Sequence, residues 1–340
     1  MEPSRREPAA NVFRLVLPLP FPGLDRVNSY LLRGEEETTL VDCGIFFPDA
    51  EGDHGWADLE SAFAAVGARV DDVDRLVVTH PHIDHYGMAA RMVDATGCEL
   101  WMHKAGIEEI GYYRDPASAT HTVKELLTDH GVDPAEVDAL AAYEDWRAYL
   151  SGVVEPTRPL AGGEEIIAAG RRWQVVHTPG HSPSHVCLYA LDGRMLISGD
   201  HLLPSVTPHI DFRRGDDDPL GDFLTSLQKI EDLAPDLVLP GHGRPFEDGA
   251  DRARAVERFH DRRLGSILQV IRHEPHTADE ITDEIFGTTL LHFERRLALG
   301  EALAHLAYLR RRGEVERIES DDGSFRYRKT RRPRPSDDAE

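Results

Sequence analysis

The segment THPHIDH, residues 79 to 85, constrains this chain more than any other stretch of its 340 residues. It places His80, His82, Asp84 and His85 directly behind DRLVVTH, residues 74 to 80, whose apolar run reads as a short buried strand. Side chains alternate along extended backbone, so His80 and His82 face the same side. A turn into a helix over about 84 to 96 then redirects Asp84 and His85 toward a second position. Four ionisable side chains at the end of a buried strand need metal or charge partners to offset their desolvation.

Three further candidates stand at comparable strand ends. His181 lies in HTPGHSPSH after a strand ending near Val176, Asp200 follows LISG, and His242 lies in LPGHG after DLVL. A glycine beside each lets the backbone turn tightly and approach a pocket. Seven ligand candidates from separate strand ends thus converge on one open site. Their mixture of imidazole and carboxylate fits two divalent ions bridged by one carboxylate, zinc first, with manganese or iron as alternatives. Such a pair lowers the pKa of a bridging water and polarises a carbonyl or phosphoryl oxygen, so a bridging hydroxide is the expected nucleophile. Asp84 is the catalytic candidate, orienting that nucleophile or assisting proton transfer.

Other polar residues take supporting roles. Asp42 in LVDCG is expected to hydrogen-bond a ligand imidazole from behind, the alternative being a turn-stabilising aspartate. Tyr86, His185, His201 and His209 are candidate substrate contacts, His209 paired with Asp211; aromatic packing and loop tethering are the competing readings. Tyr143, Trp146 and Tyr149 form an aromatic stripe at helical spacing, either packing or a hydrophobic substrate wall.

The rest of the chain alternates strand and helix signals. Strands are expected at 12–17, 29–33, 38–41, 98–103, 172–178, 185–191, 194–199 and 236–241, and helices at 56–66 and 221–233. Residues 104 to 160 read as an inserted pair of helices, a lid or side wall, with DPASATHTVKELLTDHG and DPAEVDALAAYEDWRAYLSG carrying helix-start signals. A long charged helix begins near 250, and the order of helices and a Gly-turned hairpin through 328 has the pattern of a winged helix. Residues 329 to 340 are polar and rich in proline and charge, the composition of a disordered tail.

At THPHIDH, TPGHSPSH, SGD and PGHG the chain resembles the metallo-β-lactamase-fold hydrolase superfamily. The winged-helix-like end makes it similar to the glyoxalase II-like and β-lactamase-like-2 branch. The resemblance implies an α/β fold, an αββα sandwich of two mixed sheets over about 12–248 with a small helical C-terminal domain over 250–328. It also implies a ligand division: His80, His82 and His181 for one metal, Asp84, His85 and His242 for the other, Asp200 bridging. Zinc β-lactamases often carry a cysteine near the position of Asp200, and this chain does not. Its GDHLLPSVTP also departs from the GDTLF-like pattern of glyoxalase II proteins.

The expected activity is hydrolysis of a small-molecule thioester or related carboxylic ester, with lactone or phosphodiester hydrolysis as alternatives. Cys43, Cys98 and Cys187 are isolated in apolar settings, fitting buried thiols in a reducing cytoplasm. No stretch of about 18 apolar residues or secretory signal pattern occurs, so no membrane partner is expected. A formal charge of −23 argues against nucleic acid. Arg310, Arg311 and Arg312 keep a nucleic-acid-binding C-terminal module as the non-enzymatic alternative; a wall for the active site or a homodimer contact is the favoured role of that domain.

Overall fold

The computed structural model describes residues 6–21, 23–49, 52–142, 146–212 and 217–330. The strands, in chain order, are β1 (Val12–Phe21), β2 (Leu24–Arg33), β3 (Thr38–Val41), β4 (Pro48–Asp49), β5 (Gly52–Asp53), β6 (Arg75–Val78), β7 (Glu99–His103), β8 (Arg158–Leu160), β9 (Glu165–Ala168), β10 (Arg171–His177), β11 (Val186–Ala190), β12 (Met195–Gly199), β13 (Leu237–Pro240), β14 (Phe246–Glu247), β15 (His276–Thr277), β16 (Val315–Glu319) and β17 (Phe325–Lys329). The helices are α1 (His54–Ala64), α2 (Ile83–Tyr86), α3 (Ala89–Thr96), α4 (Gly106–Arg114), α5 (Pro116–Asp129), α6 (Pro134–Ala141), α7 (Pro219–Leu233), α8 (Gly249–Val270), α9 (Ala278–Phe286) and α10 (His292–Arg311).

Two six-stranded mixed sheets, in the orders β1-β2-β3-β6-β7-β8 and β14-β13-β12-β11-β10-β9, carry the larger unit. Val12, Tyr30, Leu32, Val41 and Val77 of the first pack on Trp173, Val175, Leu188, Ile197 and Leu239 of the second, so the sheets lie face to face. The alternate residues Leu31, Leu40, Leu76 and Val78 point the other way and pack with Leu59 and Phe63 of α1 and Met92 of α3. Both faces are therefore buried along β3, β6 and β7, which is why β6 and β7 read as continuous apolar runs, whereas β1 alternates buried and more exposed residues over 15–20. The fold is the expected αββα sandwich. Trp173 is fully buried between the sheets and satisfies its indole N–H on the carbonyl of Ala168 at 3.1 Å. Burying a side chain of this kind contributes roughly 1.5–3 kcal/mol or more.

The helix expected over 84–96 is two helices, α2 and α3, broken at Gly87 and Met88. A Cβ on Gly87 would stand 2.8 Å from the Cα of Ile45, so the backbone there packs closely on the loop after β3; Gly87 keeps helical dihedrals, and the break comes at Met88, with φ −99° and ψ 11°. The expected insertion is also divided between the two compact units. Residues 104–119 and 144–160 belong to the larger, whereas 120–143 group with 209–221 and the chain from Arg258 onward.

That smaller unit contains α9, α10 and a three-stranded sheet in the order β15-β17-β16. The sequence TADE starts α9 through a capping box: Thr277 Oγ1 accepts the Glu280 N–H at 3.1 Å, and the Glu280 carboxylate accepts the Thr277 N–H at 2.9 Å. Helix α10 is buried along Leu299, Leu303 and Leu306. The expected tail from 331 lies outside the described residues, as does Tyr143.

Candidate metal centre

Strands β3 and β6 run parallel with Val41 opposite Val77, so Asp42 and Thr79 leave the same sheet edge side by side. Asp42 Oδ1 accepts the Thr79 N–H at 2.7 Å and Oδ2 accepts the Thr79 hydroxyl at 2.8 Å. With its proton committed to Asp42, the Thr79 oxygen meets His80 Nδ1 at 3.0 Å as an acceptor, which fixes the His80 proton on Nδ1. Asp42 Oδ2 also accepts from His85 Nδ1 at 2.7 Å. One carboxylate therefore orients two imidazoles, directly and through a hydroxyl, each by its Nδ1, leaving Nε2 turned the other way. Asp42 holds φ at 60°, a left-handed conformation that aspartate adopts more readily than most residues.

Those Nε2 atoms point into two adjacent clusters. His80 Nε2 lies 3.0 Å from His82 Nδ1 and 3.2 Å from His181 Nε2. Asp84 Oδ2 lies 3.8 Å from His85 Nε2 and 3.2 Å from His242 Nε2. Asp200 touches both, with Oδ2 at 3.8 Å from His181 Nε2 and 3.3 Å from His242 Nε2, and Oδ1 at 3.4 Å from His85 Nε2. The first cluster and the Asp84, His85, His242 group each place one ligand atom per residue within 4.8 Å of the others.

Two buried atoms of the clusters, His85 Nε2 and Asp200 Oδ1, make no well-formed hydrogen bond among the described residues and face each other at 3.4 Å. Divalent ions satisfy both, and the donors present, imidazole nitrogen and carboxylate oxygen, suit them. Burial, and then the neighbouring rings of His85, His82 and His181, hold His80 well below the usual imidazole range, in the neutral form a metal requires. Burial opposes ionisation of Asp84, but His85 and His242 outweigh it and bring the carboxyl to about 2. His80 and His85 are fully enclosed, whereas Asp84, His181, Asp200 and His242 each retain 8% exposure. The centre is therefore closed from behind and open on one side, the arrangement of a catalytic rather than a structural site.

The loop bearing His242 is held by the first hairpin. His242 Nδ1 donates to the Arg26 carbonyl at 2.8 Å, Asn28 Nδ2 donates to the Pro240 and Gly243 carbonyls at 2.7 and 2.9 Å, and the Tyr30 hydroxyl donates to Pro240 at 2.8 Å. Gly241 allows the close approach: a Cβ there would stand 2.3 Å from Asp200 Oδ1 and 2.8 Å from His85 Cε1.

The other candidates fall in different places. His185 is fully buried, with Nδ1 2.8 Å from Thr178 Oγ1 and Nε2 accepting the Asp200 N–H at 3.1 Å, so its contact is with the backbone of the carboxylate between the clusters. Tyr86 spends its hydroxyl on Val154, donating to the carbonyl and accepting from the N–H, both at 2.7 Å. His201 is fully buried against the Phe223 ring, centroids 4.9 Å apart, and burial pushes it down to about 3. His209 belongs to the smaller unit, 3.7 Å from Asp211 and 3.8 Å from Glu301. Trp146 and Tyr149 are half-buried and pack with Phe21, at centroid distances of 6.4 and 5.3 Å. Thr79, Thr178 and Asn28 were not among the sequence candidates. Asn28 carried no signal, since it stands among the polar residues Asp25, Arg26 and Ser29 at the start of β2.

Comparison with known proteins gives the family. A sequence profile of the metallo-beta-lactamase superfamily matches residues 22–242, and one of the metallo-beta-lactamase-like C-terminal domain matches 264–330. The probable metallo-hydrolase YqjP of Bacillus subtilis is 27% identical over 320 residues, covering 88% of this chain and 92% of that protein. The human acyl-coenzyme A thioesterase MBLAC2 is 26% identical over 251 residues, covering 67% of this chain and 76% of that protein. A crystal structure of a beta-lactamase domain protein from Burkholderia ambifaria superposes with a TM-score of 0.82 at 32% identity, covering 96% of each chain. The chain belongs to the metallo-β-lactamase superfamily, as a metal-dependent hydrolase whose two His/Asp clusters are those of a dinuclear divalent-metal centre.

Proposed function

We propose that this protein hydrolyses a thioester or related carboxylic ester, an acyl-coenzyme A thioester foremost. The observation that carries the reading is the placement of Asp200 against both clusters on the open side of the site. Bound there, two divalent ions supply Lewis acidity and a water of lowered pKa. His80, His82 and His181 would hold one, Asp84, His85 and His242 the other, with Asp200 shared. Asp84, 3.2 Å from His242 Nε2 and retaining some exposure, is the residue we assign to orient the water or assist its proton transfer. His185 fixes the backbone of Asp200 and so the tilt of the shared carboxylate.

The thioester preference draws on the similarity to the human thioesterase and on an apolar surface beside the site. The Phe46 N–H donates to the Tyr149 carbonyl at 3.2 Å and the Ser151 N–H to Gly87 at 2.8 Å, which pins the stretch from 146 beside α2. Half-exposed rings of Phe21, Phe47, Trp146 and Tyr149 gather there, a surface suited to an acyl chain. We place the activity in a reducing cytoplasm, in keeping with three buried free cysteines.

Initial rates on metal-quantified protein test the proposal, across acyl-coenzyme A and glutathione thioesters, lactones and phosphodiesters. Turnover concentrated on thioesters supports it. Turnover concentrated on phosphodiesters or lactones replaces it with that activity.

A further inference from the structure

We infer that α4 is a clamp that holds the three-histidine cluster together, with Glu109 and Tyr113 as its two positioning residues. The inference rests on the His/Asp clusters being a metal centre and not on the choice of substrate.

His80 and His82 arrive on the loop after β6, while His181 arrives on the loop after β10, from the opposite sheet. The three nitrogens can share an ion only if these loops keep a fixed separation. Glu109 and Tyr113 stand four residues apart in α4, on one helix face. Tyr113 donates its hydroxyl to the Pro81 carbonyl at 2.8 Å, the peptide between His80 and His82. Glu109 takes the other loop: Ser182 Oγ lies 3.0 and 2.8 Å from its two carboxylate oxygens, and the Ser184 N–H donates to Oε1 at 3.0 Å. Ser182 directly follows His181, and Ser184 directly precedes His185, which accepts the Asp200 N–H. A single turn of helix thus fixes both ligand loops and, through His185, the shared carboxylate.

Energetics favour this over incidental packing. Glu109 is only 6% exposed, and Ser182 and Ser184 are fully buried. Among the described residues the Glu109 carboxylate meets hydroxyl and amide donors and no cation, so those donors alone offset its desolvation. A buried carboxylate in that position is explained by what it orders: two donors on a loop that an apolar residue could pack against but could not orient. The sequence gives little sign of it, because Glu109 lies in GIEEIGYYR with no metal-binding motif around it.

The test is chelator competition on the full-length protein, with metal per chain determined at each step, for the wild type, Glu109→Ala and Tyr113→Phe. Outer-sphere substitutions typically weaken metal binding about 10–100-fold. The expected result is that both variants give up one ion at a chelator concentration where the wild type keeps two, with the second ion weakened less than the first. Thermal unfolding of the metal-free proteins separates this from general destabilisation, because a purely structural role lowers the melting temperature without splitting the two affinities. Tyr113→Phe removes one hydroxyl and keeps the ring, so it decides the matter should Glu109→Ala fail to fold. Two ions held in a folded variant within about threefold of wild-type affinity would overturn the clamp, while a wild type that binds no ion would overturn the metal centre itself and the clamp with it.

Discussion

At the scale of single residues, the centre depends on groups that never touch a metal. Asp42 accepts from Thr79 twice and from His85, so Asp42→Ala leaves three buried donors short of a partner, at about 1–3 kcal/mol each. The expected outcome is a folded but destabilised protein with weakened binding in both clusters, read by urea unfolding and metal titration. Gly241→Ala is the sharper probe, since the new methyl would lie 2.3 Å from Asp200 Oδ1. It is expected to displace the shared carboxylate and lower hydrolysis at least about 10-fold, at a cost of about 1–3 kcal/mol in metal-free stability. The seven His and Asp side chains that gather in the clusters were legible because each sits in a short motif beside glycine or at a strand end. Glu109 and Tyr113 were not, because they come from a helix whose relation to the ligand loops exists only after folding. Tyr86 and His185, beside the motifs and chemically apt, are occupied by Val154 in one case and by Thr178 and Asp200 in the other.

At the scale of elements, parallel pairing does the placing. β3 with β6, and β12 with β13, run parallel, so Asp42 and His80 emerge from one sheet edge and Asp200 and His242 from the other. Strand positions were readable from apolar runs, whereas the pairing of β3, β6 and β7 was not, because both of their faces are buried and no alternation marks their register. The break between α2 and α3 also escaped the sequence; it comes at Met88, whose φ of −99° and ψ of 11° leave the helix. In the smaller unit, α10 is tied to the 209–211 segment by ionisation. Burial opposes the charge on His209, but Asp211 and Glu301 outweigh it and raise the imidazole to about 9 from its ordinary 6.5. Burial likewise opposes ionisation of Glu301, which His209 and Arg263 nevertheless lower to about 2 from 4.5. The raised group stabilises the fold below pH 6.5 and loses that contribution as pH climbs through 9. The lowered one stabilises above 4.5 and loses it as pH falls toward 2. His209→Gln should therefore cost most stability between pH 4.5 and 6.5 and progressively less toward pH 9, in thermal melts across that range.

At the scale of the whole molecule, charge and metal set the behaviour. The net charge of −23 repels phosphate backbones, and the arginines at the end of α10 are locally matched, Arg311 with Asp218 at 4.0 Å and Arg312 with Glu314 at 2.7 Å. Fluorescence anisotropy with a panel of DNA and RNA at low and moderate salt is expected to show no salt-dependent binding; a slope with salt would give the C-terminal unit a second role. Metal is expected to stabilise the chain by mass action, about 2.7 kcal/mol at a free concentration of 100 times Kd, so chelation should lower the melting temperature and add-back restore it. The measurement that tests the central claim most directly is the rate of acyl-coenzyme A hydrolysis as metal is returned stepwise to the stripped protein. The structure predicts negligible turnover without metal and a rate that rises to a plateau at two ions per chain. Undiminished hydrolysis by the stripped protein, or no thioester turnover with both ions bound, would contradict it.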